Sequence, residues 1–123
     1  MGDTFLSLFL VTMARAAKER VGAKLRHLSI HDIAEEMGLP KRTLQRRLAE
    51  SGTSFTDERE RLIMRKAEYM LAIGRSQIEV SKNLGFTSSR GLRRMFLDRA
   101  GVTPKEWVRC HAEKLILTVT KHQ

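Results

Sequence analysis

The sequence predicts an all-α fold of about seven helices, in which a unit of helix, glycine turn and basic helix occurs twice. The first observation is the repeat itself, because the pattern of residues 29–39 returns in residues 76–86. The second is a set of four Ser or Thr residues, each followed three positions later by an acid, as at a capped helix start. The third is that no convincing alternation of polar and apolar residues indicates a β-sheet.

The first predicted helix covers residues 4–21. Its apolar run, Phe5 to Met13, lacks a basic leader and a small-residue cleavage site, and it is too short to cross a bilayer. The polar residues that follow, Arg15 to Arg20, complete an amphipathic helix. We interpret this helix as packing onto the first repeat. The alternative is a surface for a dimer or for a neighbouring domain.

Each repeat contributes two predicted helices, residues 30–37 and 41–50 in the first copy and 77–83 and 89–99 in the second. A small residue in the first helix of each pair allows the second helix to approach closely, and a glycine makes the turn between them. The corresponding positions are Ile33/Val80, Ala34/Ser81, Met37/Leu84, Gly38/Gly85, Leu39/Phe86, Leu44/Leu92 and Leu48/Phe96.

A long predicted helix, residues 55–72, lies between the repeats and is the natural rigid bridge that fixes their separation. Its apolar side comprises Leu62, Ile63, Ala67, Met70 and Leu71. The last predicted helix, residues 104–112, has Pro104 at its first position, where the missing N–H costs nothing. Residues 115–119 extend this helix or form a tail.

The predicted helix boundaries rest on two kinds of residue. Hydroxyl caps precede four helices, in the pairs Ser29/Asp32, Ser54/Asp57, Ser76/Glu79 and Thr103/Glu106. Glycines fall near helix ends, where a left-handed residue is favoured, at Gly22, Gly38, Gly52, Gly74, Gly85 and Gly101. These boundaries divide the chain into a lead-in helix (1–27), a first helix-turn-helix (28–53), a linker helix (54–74), a second helix-turn-helix (75–101) and a C-terminal helix with a tail (102–123).

Size and charge narrow the class of protein. The 123 residues form one domain or two small subdomains that share an element. The net charge of +9 is the electrostatic footprint of a nucleic-acid binder, although acidic membranes and acidic proteins also attract such a chain. The single cysteine, Cys110, excludes an internal disulfide and fits a reducing cytosol.

An enzyme has little support in the sequence. The four histidines form no recognisable metal spacing with Cys110, and no glycine-rich phosphate loop or nucleophile motif is present. Cys110 and His111 are adjacent on a predicted helix, so their side chains diverge rather than face each other. We therefore expect no catalytic residue, no metal and no cofactor.

The second helix of each repeat has a basic outward side. Leu44 and Leu48, like Leu92 and Phe96, are spaced at i,i+4 and must face inward, which turns the opposite side to solvent. Arginine and glutamine on that side are the residue types that read guanine and adenine edges in the major groove of DNA. The candidate base-reading residues are Arg42, Thr43, Gln45, Arg46, Ser89, Arg90, Arg93 and Arg94. The candidate phosphate contacts are Lys41, Arg47, Arg61, Ser88 and Lys105.

Residues 28–109 resemble the C-terminal DNA-binding domain of the AraC/XylS family of bacterial transcriptional regulators. The resemblance is carried by Ile33-Ala34-x-x-Met37-Gly38-Leu39, Arg42-Thr43-Leu44-Gln45-Arg46-Arg47-Leu48, Gly52-Thr53-Ser54-Phe55, the helix Arg61 to Leu71, Leu84-Gly85-Phe86, Phe96, Gly101-Val102-Thr103-Pro104 and Trp107. It implies two helix-turn-helix subdomains joined by a long helix, with recognition helices over 41–50 and 89–99 in successive major grooves of double-stranded DNA.

The resemblance also implies a context for the chain. It implies a transcription regulator in the bacterial cytoplasm, associated with the nucleoid, either as a small stand-alone regulator or as the reading head of a longer protein. RNA polymerase and a separate ligand-sensing domain are then candidate partners. The alternative is a protein-interaction module that contacts RNA polymerase or a partner domain and binds DNA only weakly.

Several positions depart from the family pattern. Pro40 stands where a capping Ser is common, so the first recognition helix should start without a side-chain cap. Gly91 should cost the second recognition helix about 1 kcal/mol relative to Ala. We also expect Gly91 to leave a DNA-facing position empty, which would make that helix read bases less strictly. Val108 replaces a common Arg, and we interpret Trp107 as a core anchor.

Overall fold

The computed structural model describes residues 4–19 and 24–111. In these ranges the chain is all-α, as predicted. The helices are α1 (Thr4–Glu19), α2 (Ile30–Met37), α3 (Lys41–Glu50), α4 (Phe55–Ala72), α5 (Gln77–Leu84), α6 (Ser89–Ala100) and α7 (104–111), with a 3₁₀ turn at Leu25–His27 before α2. No helix in the described part is long and apolar enough to cross a membrane.

The predicted helix boundaries are confirmed to within one residue for α2 to α6. The 3₁₀ turn was not predicted, because it is three residues long and has no capping side chain. The predicted ends of the first and last helices, Gly22 and the residues 115–119 lie outside the described ranges.

All four predicted hydroxyl caps are formed, which explains why these helices begin where they do. The backbone N–H of the acid donates to the hydroxyl three residues earlier in each pair. These distances are 3.2 Å at Ser29, 3.1 Å at Ser54, 3.1 Å at Ser76 and 3.2 Å at Thr103. The Ser29 hydroxyl also donates to the Asp32 carboxylate at 2.9 Å.

The two predicted glycine turns have the same construction. Gly38 and Gly85 are left-handed, with φ of 68° and 98°. In the first copy the N–H of Leu39 donates to the carbonyl of Ala34, and in the second the N–H of Phe86 donates to that of Ser81, each at 2.9 Å. Such a bond satisfies a carbonyl that the last turn of a helix leaves free. The repeat in the sequence is therefore a repeat in backbone structure.

The chain divides into two compact units, Met1–Ile63 and Met64–Gln123, and the division falls inside α4. The first unit has a core of buried side chains from the four helices α1 to α4 and from Leu28, which follows the 3₁₀ turn. These side chains are Phe9, Met13, Ala16, Leu28, Ile33, Ala34, Leu44, Leu48 and Phe55. Phe9 meets Phe55 edge-to-face, with ring centroids 6.4 Å apart. The helix α1 therefore packs on the first repeat, as interpreted from the sequence.

The second unit is built around α5, α6 and α7. Its buried side chains include Val80, Ser81, Leu84, Phe86, Leu92, Phe96, Pro104 and Trp107. The indole of Trp107 meets Phe96 edge-to-face at 6.1 Å and stacks on His111 at 4.1 Å. The interpretation of Trp107 as a core anchor is confirmed.

The expectation that Gly91 empties a DNA-facing position is wrong. A Cβ atom at residue 91 would lie 2.8 Å from Cδ1 of the Phe86 ring. Gly91 therefore faces the turn after α5, where the missing side chain makes room for a buried aromatic ring. The outward side of α6 loses nothing by this glycine.

Candidate nucleic-acid interface

The orientation of α3 is fixed by its two leucines. Leu44 and Leu48 are fully buried, and the helix starts at Pro40 without a side-chain cap, as predicted. The opposite side carries the predicted residues Arg42, Gln45 and Arg46, all exposed, with Thr43 half-buried at its edge. Four of the predicted base-reading residues thus lie on one helix, and three of them reach solvent.

One of these arginines has a partner on its own helix. The Arg46 Nε lies 3.6 Å from a Glu50 carboxylate oxygen, and the two side chains are 67% and 66% exposed. Because an exposed pair of this kind contributes only a few tenths of a kcal/mol, a stronger acceptor can displace it. The pair leaves Arg46 exposed on the outward side of α3.

The helix α6 is oriented in the same way. Leu92 and Phe96 are fully buried, and Arg90, Arg93 and Arg94 are exposed on the other side, with Ser89 half-buried at the first turn. The predicted outward sets of both repeats are therefore on the outer sides of their helices. The sequence analysis did not single out Leu97, which is 47% exposed in the same helix. Leu97 follows Arg93 by four residues, and this i,i+4 spacing could have indicated that it lies on the same exposed side of the helix.

The five candidate phosphate contacts lie on several elements. Lys41 and Arg47 are exposed on α3, Lys105 is exposed on α7, and Ser88 is exposed just before α6, where its side chain makes no capping hydrogen bond. Arg61 is an exposed residue of α4. The structure therefore places two of the five beside the base-reading set of α3 and two in the second unit.

Arg61 is anchored by an acid that the sequence analysis missed. Its guanidinium forms an ion pair with Glu58, a carboxylate that is only 7% exposed. The Thr53 hydroxyl donates to the same carboxylate at 2.7 Å. The i,i+3 spacing of Glu58 and Arg61 was a signal for the pair, but nothing in the sequence signalled the burial of Glu58.

The histidines and Cys110 were considered in the sequence analysis as possible metal ligands or catalytic residues. No group of three or more His, Cys, Asp or Glu side chains there could hold a metal ion. Cys110 is exposed, and the His111 ring nitrogen Nδ1 lies 2.9 Å from the Trp107 carbonyl oxygen. The His111 side chain is thus directed to Trp107 in α7.

Comparison with known proteins agrees with the helix-turn-helix construction described above. Residues 33–109 match a family model described as a helix-turn-helix domain. Uncharacterized HTH-type transcriptional regulators from Mycobacterium bovis and Mycobacterium tuberculosis are each 36% identical over 84 residues, which is 63% of this chain. The chain spans only 23% of the length of these relatives.

Solved structures share the fold. A DNA-binding transcriptional dual regulator from Escherichia coli K-12 has a TM-score of 0.73 at 21% identity, covering 85% of this chain and 93% of that one. An AraC-type DNA-binding-domain protein from Chromobacterium violaceum has a TM-score of 0.72 at 20% identity, with 87% and 95% covered. The C-terminal domain of a two-component response regulator from Fusobacterium nucleatum has a TM-score of 0.69 at 17% identity, with 86% and 99% covered.

Proposed function

The chain belongs to the helix-turn-helix domain family of the AraC type, and from this premise we propose that it binds double-stranded DNA sequence-specifically and regulates transcription. The observation that carries the proposal is the matched construction of α3 and α6. Each helix buries two apolar side chains completely and exposes a set of arginines, joined in α3 by a glutamine, on its other side.

The two sets of exposed side chains have different roles in this proposal. Arginine can bind guanine O6 and N7 with two parallel hydrogen bonds, and glutamine can bind adenine N6 and N7. We assign these contacts to the outward sides of α3 and α6. Lys41, Arg47, Arg61, Ser88 and Lys105 would bind phosphate oxygens, which fixes the position of the protein without specifying a sequence.

We propose the setting of this activity by analogy with the family. We infer a bacterial cytoplasmic regulator that is associated with the nucleoid and contacts RNA polymerase. A ligand-sensing domain is a further candidate partner.

Salt dependence tests the proposal most directly. Neutralising about six to ten phosphates would lower the affinity by roughly 10³–10⁵ between 50 and 200 mM salt, because each contact releases a condensed counterion. Fluorescence anisotropy with a site selected from a random duplex pool measures this fall. The matched control replaces Arg42, Arg46, Arg90 and Arg94 with Ala, and circular dichroism checks that this variant still folds. The proposal would be contradicted if the chain does not bind DNA at low salt, or if its affinity does not change with salt concentration.

A protein-interaction role is the second candidate function. The helix α1 buries Phe9 and Met13 in the core, yet Leu8 and Val11 on its other side are 57% and 60% exposed. Weak, salt-insensitive DNA binding together with retention by RNA polymerase or a partner domain would favour this candidate over the first.

A further inference from the structure

One candidate phosphate contact touches a helix that lies outside the family match. The Arg47 guanidinium carbon lies 4.1 Å from the centroid of the Phe5 ring. Phe5 belongs to α1, whereas the family model matches residues 33–109. The contact therefore joins an N-terminal helix to the recognition helix α3 through a charged side chain.

Phe5 is itself held in place by the first unit. Its ring is partly buried and packs against the core that includes Phe9 and Met13 of the same helix. A fixed aromatic face restricts the rotamers of the arginine that lies on it. By contrast, the partner of Arg46 is Glu50, an exposed residue of the same helix that moves with α3.

A guanidinium on an aromatic face remains able to bind phosphate. When an aromatic ring lies on the flat side of a guanidinium, the N–H donors point outward in the guanidinium plane. The cation–π attraction thus uses a different surface of Arg47 from the one that a phosphate needs. Arg47 also directly precedes the buried Leu48 and directly follows the exposed Arg46, so it lies at the flank of the outward side of α3.

The second repeat lacks this arrangement. When Leu48 is matched with Phe96, the residue that corresponds to Arg47 is Met95, which carries no charge. The position is therefore not required by the helix-turn-helix unit as such. It is a feature of the first repeat, and the first repeat is the one on which α1 packs.

We propose that Phe5 is a positioning residue for DNA binding, which holds the Arg47 guanidinium at the flank of α3 with its N–H edge free for a backbone phosphate. Through this contact α1 contributes to DNA affinity without touching DNA. The inference rests on the proposed function. Its physical basis is preorganisation, since an arginine already restricted in the free protein loses less conformational entropy on binding.

The test replaces Phe5 with Leu, which keeps an apolar side chain and removes the aromatic face. We expect Phe5→Leu to weaken binding about two- to tenfold on specific and non-specific duplexes alike, the effect of one less-ordered long side chain. Phe5→Tyr, which keeps the ring, should bind as the wild type does. In an Arg47→Ala background, which should reduce the magnitude of the salt slope by about 0.9, Phe5→Leu should have no further effect.

A matched control separates positioning from folding. Phe9→Leu makes the same chemical change on the same helix at a fully buried site. It should lower the free energy of unfolding yet leave the affinity of the folded protein unchanged. Unaltered or tighter binding by Phe5→Leu would overturn this inference but not the proposed function. The same holds if the losses of affinity from Phe5→Leu and Arg47→Ala are additive in the double variant. Failure of the wild type to bind DNA at low salt would overturn the proposed function as well.

Discussion

Ser81 and Ala34 occupy the same place in two copies of one turn, and only Ser81 carries a hydroxyl. Both residues are 2% exposed, and each accepts the backbone bond that closes its glycine turn. The Ser81 Oγ is buried and has no hydrogen-bond partner among the residues that the structure describes. A buried polar atom without a partner costs about 1–3 kcal/mol. The second repeat therefore carries a penalty that the first repeat avoids.

Exchange of these two residues gives opposite predictions. Ser81→Ala should raise the free energy of unfolding by about 1 kcal/mol, because it removes an unsatisfied hydroxyl and leaves the close approach intact. Ala34→Ser should lower the free energy of unfolding by about 1–3 kcal/mol. Urea denaturation measures both changes. A loss of stability in Ser81→Ala would show that the hydroxyl has a partner after all.

Gly91 leads to a second prediction at this scale. Helix propensity alone favours Gly91→Ala by about 1 kcal/mol, but the new methyl would lie 2.8 Å from the Phe86 ring. Overpacking of this kind costs about 1–3 kcal/mol, so we expect a net loss of stability. Thermal denaturation of Gly91→Ala measures it, and the loss should vanish in a Phe86→Leu background. Equal destabilisation in both backgrounds would place the strain elsewhere.

At the scale of the elements, the outward sides of α3 and α6 separate specifying from positioning residues. Arg46→Ala should cost about 1–3 kcal/mol on the preferred site and relax the preference at one or two base pairs. Lys105→Ala, in α7, should weaken binding to all sequences alike and flatten the salt slope. Selection of bound sites with each variant measures both effects. Loss of affinity without altered base preference in both variants would remove Arg46 from the major groove.

The elements also show how far the sequence predicts this molecule. Most helix starts and ends could be predicted because a hydroxyl or a glycine at the boundary acts on atoms a few residues away. The Arg59 guanidinium, in contrast, donates to the Leu28 carbonyl at 3.0 Å across 31 positions of the chain. No spacing of nearby residues in the sequence predicts such a bond. The expectation that Gly91 faces DNA failed for the same reason. Its contact with Phe86 depends on how the turn after α5 folds back.

The same distinction between local and long-range contacts applies to the candidate site. The outward sides of α3 and α6 could be predicted, because i,i+4 leucine and phenylalanine spacing determines which side of a helix is buried. The anchoring of Arg61 by Glu58 and of Arg47 by Phe5 could not, because these contacts depend on burial and on packing between helices. The sequence identifies the set of exposed cationic side chains, and the structure adds which of them are fixed by contacts with other residues.

At the scale of the whole molecule, the two helices that we propose to read DNA differ in their exposed side chains. The helix α3 presents Arg42, Gln45 and Arg46, whereas α6 presents three arginines. A monomer should therefore prefer an asymmetric site to a palindrome. We predict that the two recognition helices bind successive major grooves on one side of the duplex, which repeat roughly every 34–36 Å.

An insertion in the DNA tests this prediction. Five base pairs placed between the two half-contacts would rotate one of them by about half a turn onto the opposite side of the duplex. Affinity should then fall to that of a single helix-turn-helix, as measured by anisotropy on matched duplexes with and without the insertion. Full affinity after the insertion would mean that only one repeat engages bases. A ten-base-pair insertion, which restores the rotational phase, is the control for spacing alone.

The position of the single tryptophan has a consequence for how the molecule can be observed. Trp107 is the only indole in the chain and lies in the second unit, against Phe96 and His111. Its ultraviolet emission therefore reports on the environment of that unit, while far-ultraviolet ellipticity averages over the helices of both. Ser81→Ala should shift the emission-detected transition, and Ala34→Ser should act mainly on the ellipticity. The chain thus carries a built-in optical label for one of its two units.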